Sequence, residues 1–564
     1  MGSTIISQEI KMGENRIPYI ETKNGKPVLI VKGKPFIMLA GEVHNSDSSS
    51  PKYMEKIWDI AEDLGMNTLL LPATWELTEP EEGVFDFSVP KALIDQARER
   101  NMKIGFLWFG SWKNAECMYA PAWVKKDLER FPRAQIEKGK NKSGRQVSPT
   151  IPVKMPYTTL SYLGEETMKA DAKAFAGFMR FLKEYDGEEN TVIAVQVENE
   201  TGLLGAAREV SDEADALFAS EVPAGFAEYM RSHTDTMTED IRSAVVNGKE
   251  AGSWADVFGE AADELFSAYY VSRFVNHVAE AGKAVYPLPM TANCWLDKDG
   301  RPGDYPTGGP VSKVHEVWNF CAPCIDVLCP DIYVPQFKEV CDEYSRRNGA
   351  LFIPECATHS YAAPRLLYTV GHYHAMCYSP FGFDDIGKPF TAVQGFLFGM
   401  DVTDPALKTP QSYEEYSEIG KIVRGMMPML AEAYGSDRLQ AVSGETDPMV
   451  EHPSGNPFLA SPPTMDFGSF RLTVTFKSMI NPRNDGACLC LKVSDSECWI
   501  VGNACRIDVR SGREDQPNLD LLSVDEGTFE NGEWVPGRRF NGDETAQMTM
   551  DRPSVWHLRF FTYK

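Results

Sequence analysis

Long apolar runs are missing from this chain. Nowhere do about 18 apolar residues follow one another, so a membrane-spanning helix is excluded. Positive charge is short as well: 56 lysines and arginines face 81 acidic side chains, a formal charge of −25. No basic stripe is left to neutralise phosphates, which argues against nucleic acid, anionic membrane surfaces and polyanionic ligands. The opening residues, Met1-Gly2-Ser3-Thr4-Ile5-Ile6, lack a basic region leading into an apolar stretch, so no secretory signal is expected. Ile6 stands where a myristoylation motif wants a hydroxyl residue. Paired metal-binding cysteine motifs are lacking too. Twelve cysteines are scattered through the sequence, and Cys321-Ala322-Pro323-Cys324 is followed by no second such spacing. The expectation is reduced thiols, no metal, no cofactor and a cytoplasmic location. Finally, Gly41-Glu42-Val43-His44-Asn45 is not the glycine-rich phosphate loop that an open nucleotide-binding sheet carries after its first strand.

What is present is a repeating alternation. Short apolar, β-rich runs occupy Pro35–Val43, Asn67–Trp75, Lys103–Gly110, Thr191–Glu200, Pro287–Trp295, Ile325–Tyr333, Leu351–Ala357 and Ala375–Asp385. Helical patterns lie between most of them: Pro51–Gly65, Val89–Asn101, Glu165–Tyr185, Trp254–Gly282 and Gln336–Arg347. Eight βα units in order predict a (β/α)8 TIM barrel, because continuous apolar strands need both faces covered. Long insertions follow the third strand (about Ser111–Ser161) and the fourth (about Thr201–Ser253). The first carries a basic piece, Lys138–Arg145, read as solvated loop. After about Asp401 the helical residues Tyr413–Leu430 give way to alternating stretches such as Phe470–Phe476, punctuated by turn residues at Asn481–Gly486, Asn531-Gly532 and Asn541-Gly542. That pattern reads as an all-β, sandwich-like module. The division is thus a lead-in over 1–34, a barrel over 35–430 and a β-rich accessory domain over 431–564.

Two of the barrel runs end on glutamate. Thr191-Val192-Ile193-Ala194-Val195 drives into Asn199-Glu200-Thr201-Gly202, and Leu351-Phe352-Ile353-Pro354 runs into Glu355. A charge placed directly after a buried strand is costly unless it is used. Cleaving a glycosidic bond needs such a pair: a proton donor for the leaving oxygen and a carboxylate beside the anomeric carbon. Asn199 can hydrogen-bond a sugar 2-hydroxyl, a contact that strengthens in the transition state.

Gln196-Val197-Glu198-Asn199-Glu200-Thr201-Gly202 resembles the acid/base motif of clan A glycoside hydrolases, especially families 35 and 42, the β-galactosidases. Asn67 to Phe87, with Trp75 and Glu79-Pro80-Glu81-Glu82-Gly83-Val84-Phe85-Asp86-Phe87, is similar to the second strand and loop of those families. Ala120-Pro121-Ala122-Trp123-Val124 resembles a family 42 piece. The resemblance implies a retaining mechanism in which Glu200 is the general acid/base, Glu355 the nucleophile and Tyr333 the hydroxyl that orients it. It places His44 and Glu42 near the sugar. Asn293 joins the substrate-binding candidates, and Trp75, Trp112 and Trp295 are candidates to stack a sugar face. Three departures stand out. Thr201 replaces the usual Tyr after the acid. Trp108-Phe109-Gly110-Ser111-Trp112 replaces an Ala-Glu pair that grips galactose. Pro354-Glu355-Cys356 replaces a Thr-Glu-aromatic form. The reading is a retaining exo-β-glycosidase, β-galactosidase first, acting on a small carbohydrate substrate, with a homo-oligomer allowed. The alternatives are a β-glucosidase or β-glucosyltransferase of the clan, and a non-catalytic carbohydrate-binding barrel.

Overall fold

The computed structural model describes residues 17–137, 154–297, 300–389, 391, 410–445, 462–476, 485–530 and 532–564. Its centre is a closed barrel of eight strands: β1 (Met38–Glu42), β2 (Thr68–Thr74), β3 (Lys103–Phe109), β4 (Val192–Val197), β5 (Met290–Trp295), β6 (Val327–Ile332), β7 (Phe352–Cys356) and β8 (Cys377–Pro380). Each strand pairs in parallel with its neighbours in chain order, and β8 closes onto β1. All eight runs read from the sequence are barrel strands. Their continuous apolarity follows from burial on both faces: Leu39, Leu69, Leu71, Ile104 and Ile353 join the core under the helices, while Met38, Ala40, Leu70, Leu107, Val327 and Phe352 fill a separate inner cluster.

Residues before the barrel do more than lead in. Tyr19–Lys23, Lys26–Val31 and Lys34–Phe36 form a three-stranded antiparallel sheet. Leu29 and Val31 from this sheet belong to the inner cluster, so it stoppers the N-terminal end of the barrel. Pro35, expected to open the first barrel strand, lies in this sheet instead; the barrel strand begins at Met38.

The C-terminal module is two antiparallel sheets. Six strands run in the order Leu439–Ser443, Ala487–Ser494, Glu497–Asn503, Ser554–Tyr563, Asn518–Glu530, Glu533–Phe540; four run Thr464–Asp466, Phe470–Thr475, Cys505–Ser511, Thr549–Met550. Phe470, Leu472 and Val474 of the small sheet meet Cys490, Ile500 and Leu558 of the large one in a core of their own. The opposite face of the large sheet, with Leu489, Leu491 and Val501, joins the barrel core. Arg365, on the helix after β7, makes a buried bidentate pair with Glu445 and lies over the Phe337 ring. The basic piece Lys138–Arg145 and the turn residues Asn481–Asn484 and Asn531 lie outside the described residues.

Candidate active site

The C-terminal mouth of the barrel gathers the polar side chains. Strand β4 stops at Val197, and the next residues turn sharply: Glu198 has φ 63° and Glu200 φ 45°. Two non-glycine residues in the left-handed region cost about 1–3 kcal/mol each and persist only where the surroundings over-determine them. Here they do. The Glu200 N–H donates to Asn293 Oδ1 at 3.1 Å, and the Glu200 carbonyl accepts from Ala115 N at 3.1 Å. Trp112 N donates to Glu198 Oε2 at 2.8 Å. Asp171 lies behind the turn, accepting from Trp108 Nε1 at 2.8 Å, from Ser111 N at 2.9 Å and from the Ser111 hydroxyl. Burial first, and the Asp171 charge alongside second, push the Glu198 carboxyl well up.

Glu355, at the end of β7, accepts from three side chains. Tyr333 OH donates to Oε2 at 2.8 Å, while Asn199 Nδ2 (3.2 Å) and Asn293 Nδ2 (3.3 Å) donate to Oε1. Oxygens of Glu200, Asp331 and Glu355 all lie within 4.8 Å of one another. Asn293 Nδ2 also reaches Asp331 Oδ2 at 2.8 Å. The ammonium of Lys113, 3 % exposed, donates to Asn199 Oδ1 at 3.0 Å. Glu42 is fully buried, and neither of its oxygens has a hydrogen-bond partner.

Burial first, and the neighbouring Glu355 charge second, raise Glu200 to about 7 against an opposing pull from Lys113. The same two causes push Asp331 and Glu42 well up. Burial disfavours the Lys113 charge, but Glu355, Glu200, Glu42 and Asp331 outweigh it and its proton is held more tightly than usual. Glu200 is thus a group that carries a proton near neutral pH beside a carboxyl that accepts from three donors. That is what general acid catalysis with nucleophilic attack requires.

Two groups of side chains have spacing suited to a cation, Glu200–Asp331–Glu355 and His44–Asp384–Asp385. In the first, Lys113 already supplies the counter-charge and the Glu355 oxygens are taken by amide and phenol donors. In the second, Asp385 is engaged by Lys388 at 2.7 Å and by His44 at 3.1 Å.

Of the residues singled out from sequence, Glu42, Asn199, Glu200, Asn293, Tyr333 and Glu355 come together in the mouth. His44 stands on the rim, edge-on to Phe381 and beside Asp385. Trp295 is half-buried at the end of β5. Two tryptophans need correction as stacking candidates. Trp75 is fully buried, with Nε1 on Glu79 Oε2 at 2.9 Å and its ring edge-on to Trp123. Trp112 is buried against Phe274 and donates Nε1 to the Gly202 carbonyl at 3.1 Å. Both rings hold loops, and neither offers a free face. Asp331, Lys113, Glu198 and Asp171 escaped the sequence reading. For Asp331 the signal existed: Leu328-Cys329-Pro330-Asp331-Ile332 is another carboxylate inside an apolar run. Lys113 sits in an insertion with no periodicity to single it out.

Known proteins add the following. Residues 28–137 match the model of glycosyl hydrolases family 35. The resemblance read over Asn67–Phe87 falls inside that segment. Residues 418–550 match a domain of unknown function (DUF5597), which spans most of the long helix Tyr413–Ala433 and most of the sandwich. No curated protein sequence matches the chain. Among solved structures, the β-galactosidase of Bacillus circulans sp. alkalophilus is 13% identical over 70% of this chain and 57% of its own, with TM-score 0.43. That of the psychrophilic Marinomonas ef1 is 13% identical over 71% and 61%, with TM-score 0.44. The exo-β-1,4-mannosidase Op5Man5 of Opitutaceae bacterium strain TAV5 is 14% identical over 71% and 61%, with TM-score 0.39. The chain spans less than two thirds of the length of each of these structures.

Proposed function

We propose that this protein is a retaining exo-β-glycosidase that releases a terminal β-linked sugar, β-galactose first, from short oligosaccharides or glycosides in the cytoplasm. The observation that carries the reading is the closeness of the Glu200 and Glu355 carboxyls, one oxygen of each lying within 4.8 Å of the other. Double displacement uses carboxyls about 5–5.5 Å apart, whereas inversion needs ~6.5–9.5 Å to admit a water between them. The family 35 match over residues 28–137 supports the same class.

The steps follow from the groups present. Glu200 gives its proton to the glycosidic oxygen while Glu355 attacks the anomeric carbon; the C–O bond to the aglycone breaks and the aglycone leaves as an alcohol. Tyr333 and the two asparagines release the Glu355 charge as the ester forms. Glu200, now ionised, takes a proton from water, whose oxygen attacks the anomeric carbon and frees Glu355. Glu42, Asn199 and Asn293 line the floor as partners for sugar hydroxyls, with Trp295 and His44 at the rim.

The test is a panel of 4-nitrophenyl glycosides (β-galactoside, β-glucoside, β-fucoside, β-xyloside and α-arabinoside) with wild type and Glu355→Ala. We expect release from the β-galactoside and a loss of roughly 10⁴-fold or more in the variant, the scale of removing a nucleophile. Release from another sugar alone would move the substrate and keep the mechanism. Silence across the panel, with sugar binding intact, would sink the enzyme reading.

A further inference from the structure

We infer that Asp331 is a positioning residue for proton transfer, sharing one proton with Glu200 across the barrel mouth. This rests on the glycosidase reading for its catalytic meaning, though not for the shared proton itself.

The two neighbours of Asp331 are treated very differently by the protein. Glu355 receives three donors, Tyr333, Asn199 and Asn293. Among the described residues no amide, phenol or ammonium donor reaches the Glu200 carboxyl; its side-chain partner is the Asp331 carboxyl. Asp331 stands between these cases. It is 3 % exposed; its Oδ2 accepts from Asn293, and its Oδ1 is buried without a donor. A buried carboxyl oxygen left unpaired is costly, so Asp331 has to share a proton with a neighbour within reach. The Glu200 carboxyl is that neighbour, with one oxygen of each within 4.8 Å of the other. Two such carboxyls side by side cannot both ionise readily, so one proton is held between them.

Asn293 fixes the arrangement. One side chain accepts from the Glu200 backbone and donates to both Asp331 and Glu355, tying acid/base, nucleophile and third carboxyl to a single amide on β5. The charged and titratable groups facing Asp331 are Glu42 from β1, Lys113 from the loop after β3, Glu200 after β4, Glu355 from β7 and the Tyr333 phenol, with the thiols of Cys294 and Cys329 beside it. Lys113 is the single cation among them. The remaining neighbours oppose a second negative charge, so the pair gives up its last proton later than Glu200 would alone.

The charge balance suits the chemistry. Before reaction Glu355 is an anion and the pair carries one negative charge. After glycosyl transfer Glu355 is a neutral ester and the pair, having given its proton to the leaving oxygen, carries two. The total in the mouth is unchanged, and the pair recovers its proton from the attacking water.

The experiment is the full-length Asp331→Asn variant, assayed on two aryl glycosides of the active sugar, one with a 2,4-dinitrophenol and one with a phenol leaving group. We expect the alkaline limb of kcat/KM to move down by about one pH unit or more. The phenyl glycoside should lose roughly ten- to a hundredfold while the dinitrophenyl one, which needs little protonation, changes less than threefold. Asp331→Glu, which keeps a carboxyl, should return the limb toward wild type and guards against a mere folding defect. An unmoved limb, or equal losses on both leaving groups, would overturn the proposal. Infrared pH titration of the buried carboxyls, with Glu200→Gln to assign the band, reads the shared proton without turnover. If the Glu200 band titrates identically in wild type and Asp331→Asn, the pair does not exist. If it shifts in a protein that cleaves no glycoside, the pair stands and the glycosidase reading falls.

Discussion

The two ends of one barrel are built on opposite principles. The inward row of β6 reads Val327, Cys329, Asp331, and that of β1 reads Met38, Ala40, Glu42. Side chains of a strand alternate between faces, so these rows are continuous lines passing from an apolar base to a charged mouth. At the base, Leu29 and Val31 of the N-terminal sheet press into the line and complete it. At the mouth the line ends in buried carboxyls short of N–H and phenol donors, Glu42 on both oxygens and Asp331 on one. The base is therefore assembled for stability, and the mouth forgoes stability to keep reactive groups dry and close.

Leu29→Ala tests the first half of that contrast. Leu29 is 2 % exposed in the inner cluster, so truncation should cost about 2–5 kcal/mol, lower the Tm by several degrees and leave kcat on an aryl glycoside within twofold. A fall in kcat at a temperature where the variant is fully folded would mean that the two ends are coupled. Gly110→Ala probes the scaffold under the mouth. A Cβ there would fall 2.5 Å from Trp108 Nε1 and 2.6 Å from Asp171 Oδ1 and Glu198 Oε1. The pair that anchors the Glu198–Glu200 turn would have to part, and a displacement of that size near the reacting groups should lower kcat by roughly 10²-fold. Unchanged kcat would show that the Asp171–Glu198 pair does not position Glu200.

Sequence patterning carried the base of the barrel and part of the mouth for identifiable reasons. Eight apolar runs mark eight strands because burial on both faces leaves no polar position, and Glu200 and Glu355 stand out because they interrupt such runs. Asp331 interrupts one equally well but lies two residues before Tyr333, and the tyrosine drew the reading. Lys113 and the Asp171–Glu198 pair depend on a loop folding back and on Asp171, 60 residues further along the chain, meeting Ser111, which no local pattern encodes. Trp75 and Trp112 were misassigned because tryptophan is equally at home in a core and on a sugar; only the Glu79 and Gly202 partners of their indole N–H groups decide between the two.

Glu42→Gln gives the smallest effect and the sharpest contrast, because it should act on stability and function in opposite directions. Burial and the Glu355 charge hold the folded-state pKa of Glu42 well above the ordinary 4.5. With the proton favoured in the folded chain, wild-type stability is fully present below about pH 4.5, where both states bind it, and is lost as pH rises through the folded value. Glutamine carries no charge to desolvate, so the variant should equal wild type in the acid range and gain about 0.5–2 kcal/mol toward neutral and alkaline pH. The same change removes an acceptor from the floor of the mouth, so KM should rise with kcat altered less. Denaturant titrations at three pH values, set beside KM on one aryl glycoside, read both quantities. A variant that loses stability at neutral pH would show that Glu42 is paired in the resting protein and is no part of the forgone stability at the mouth.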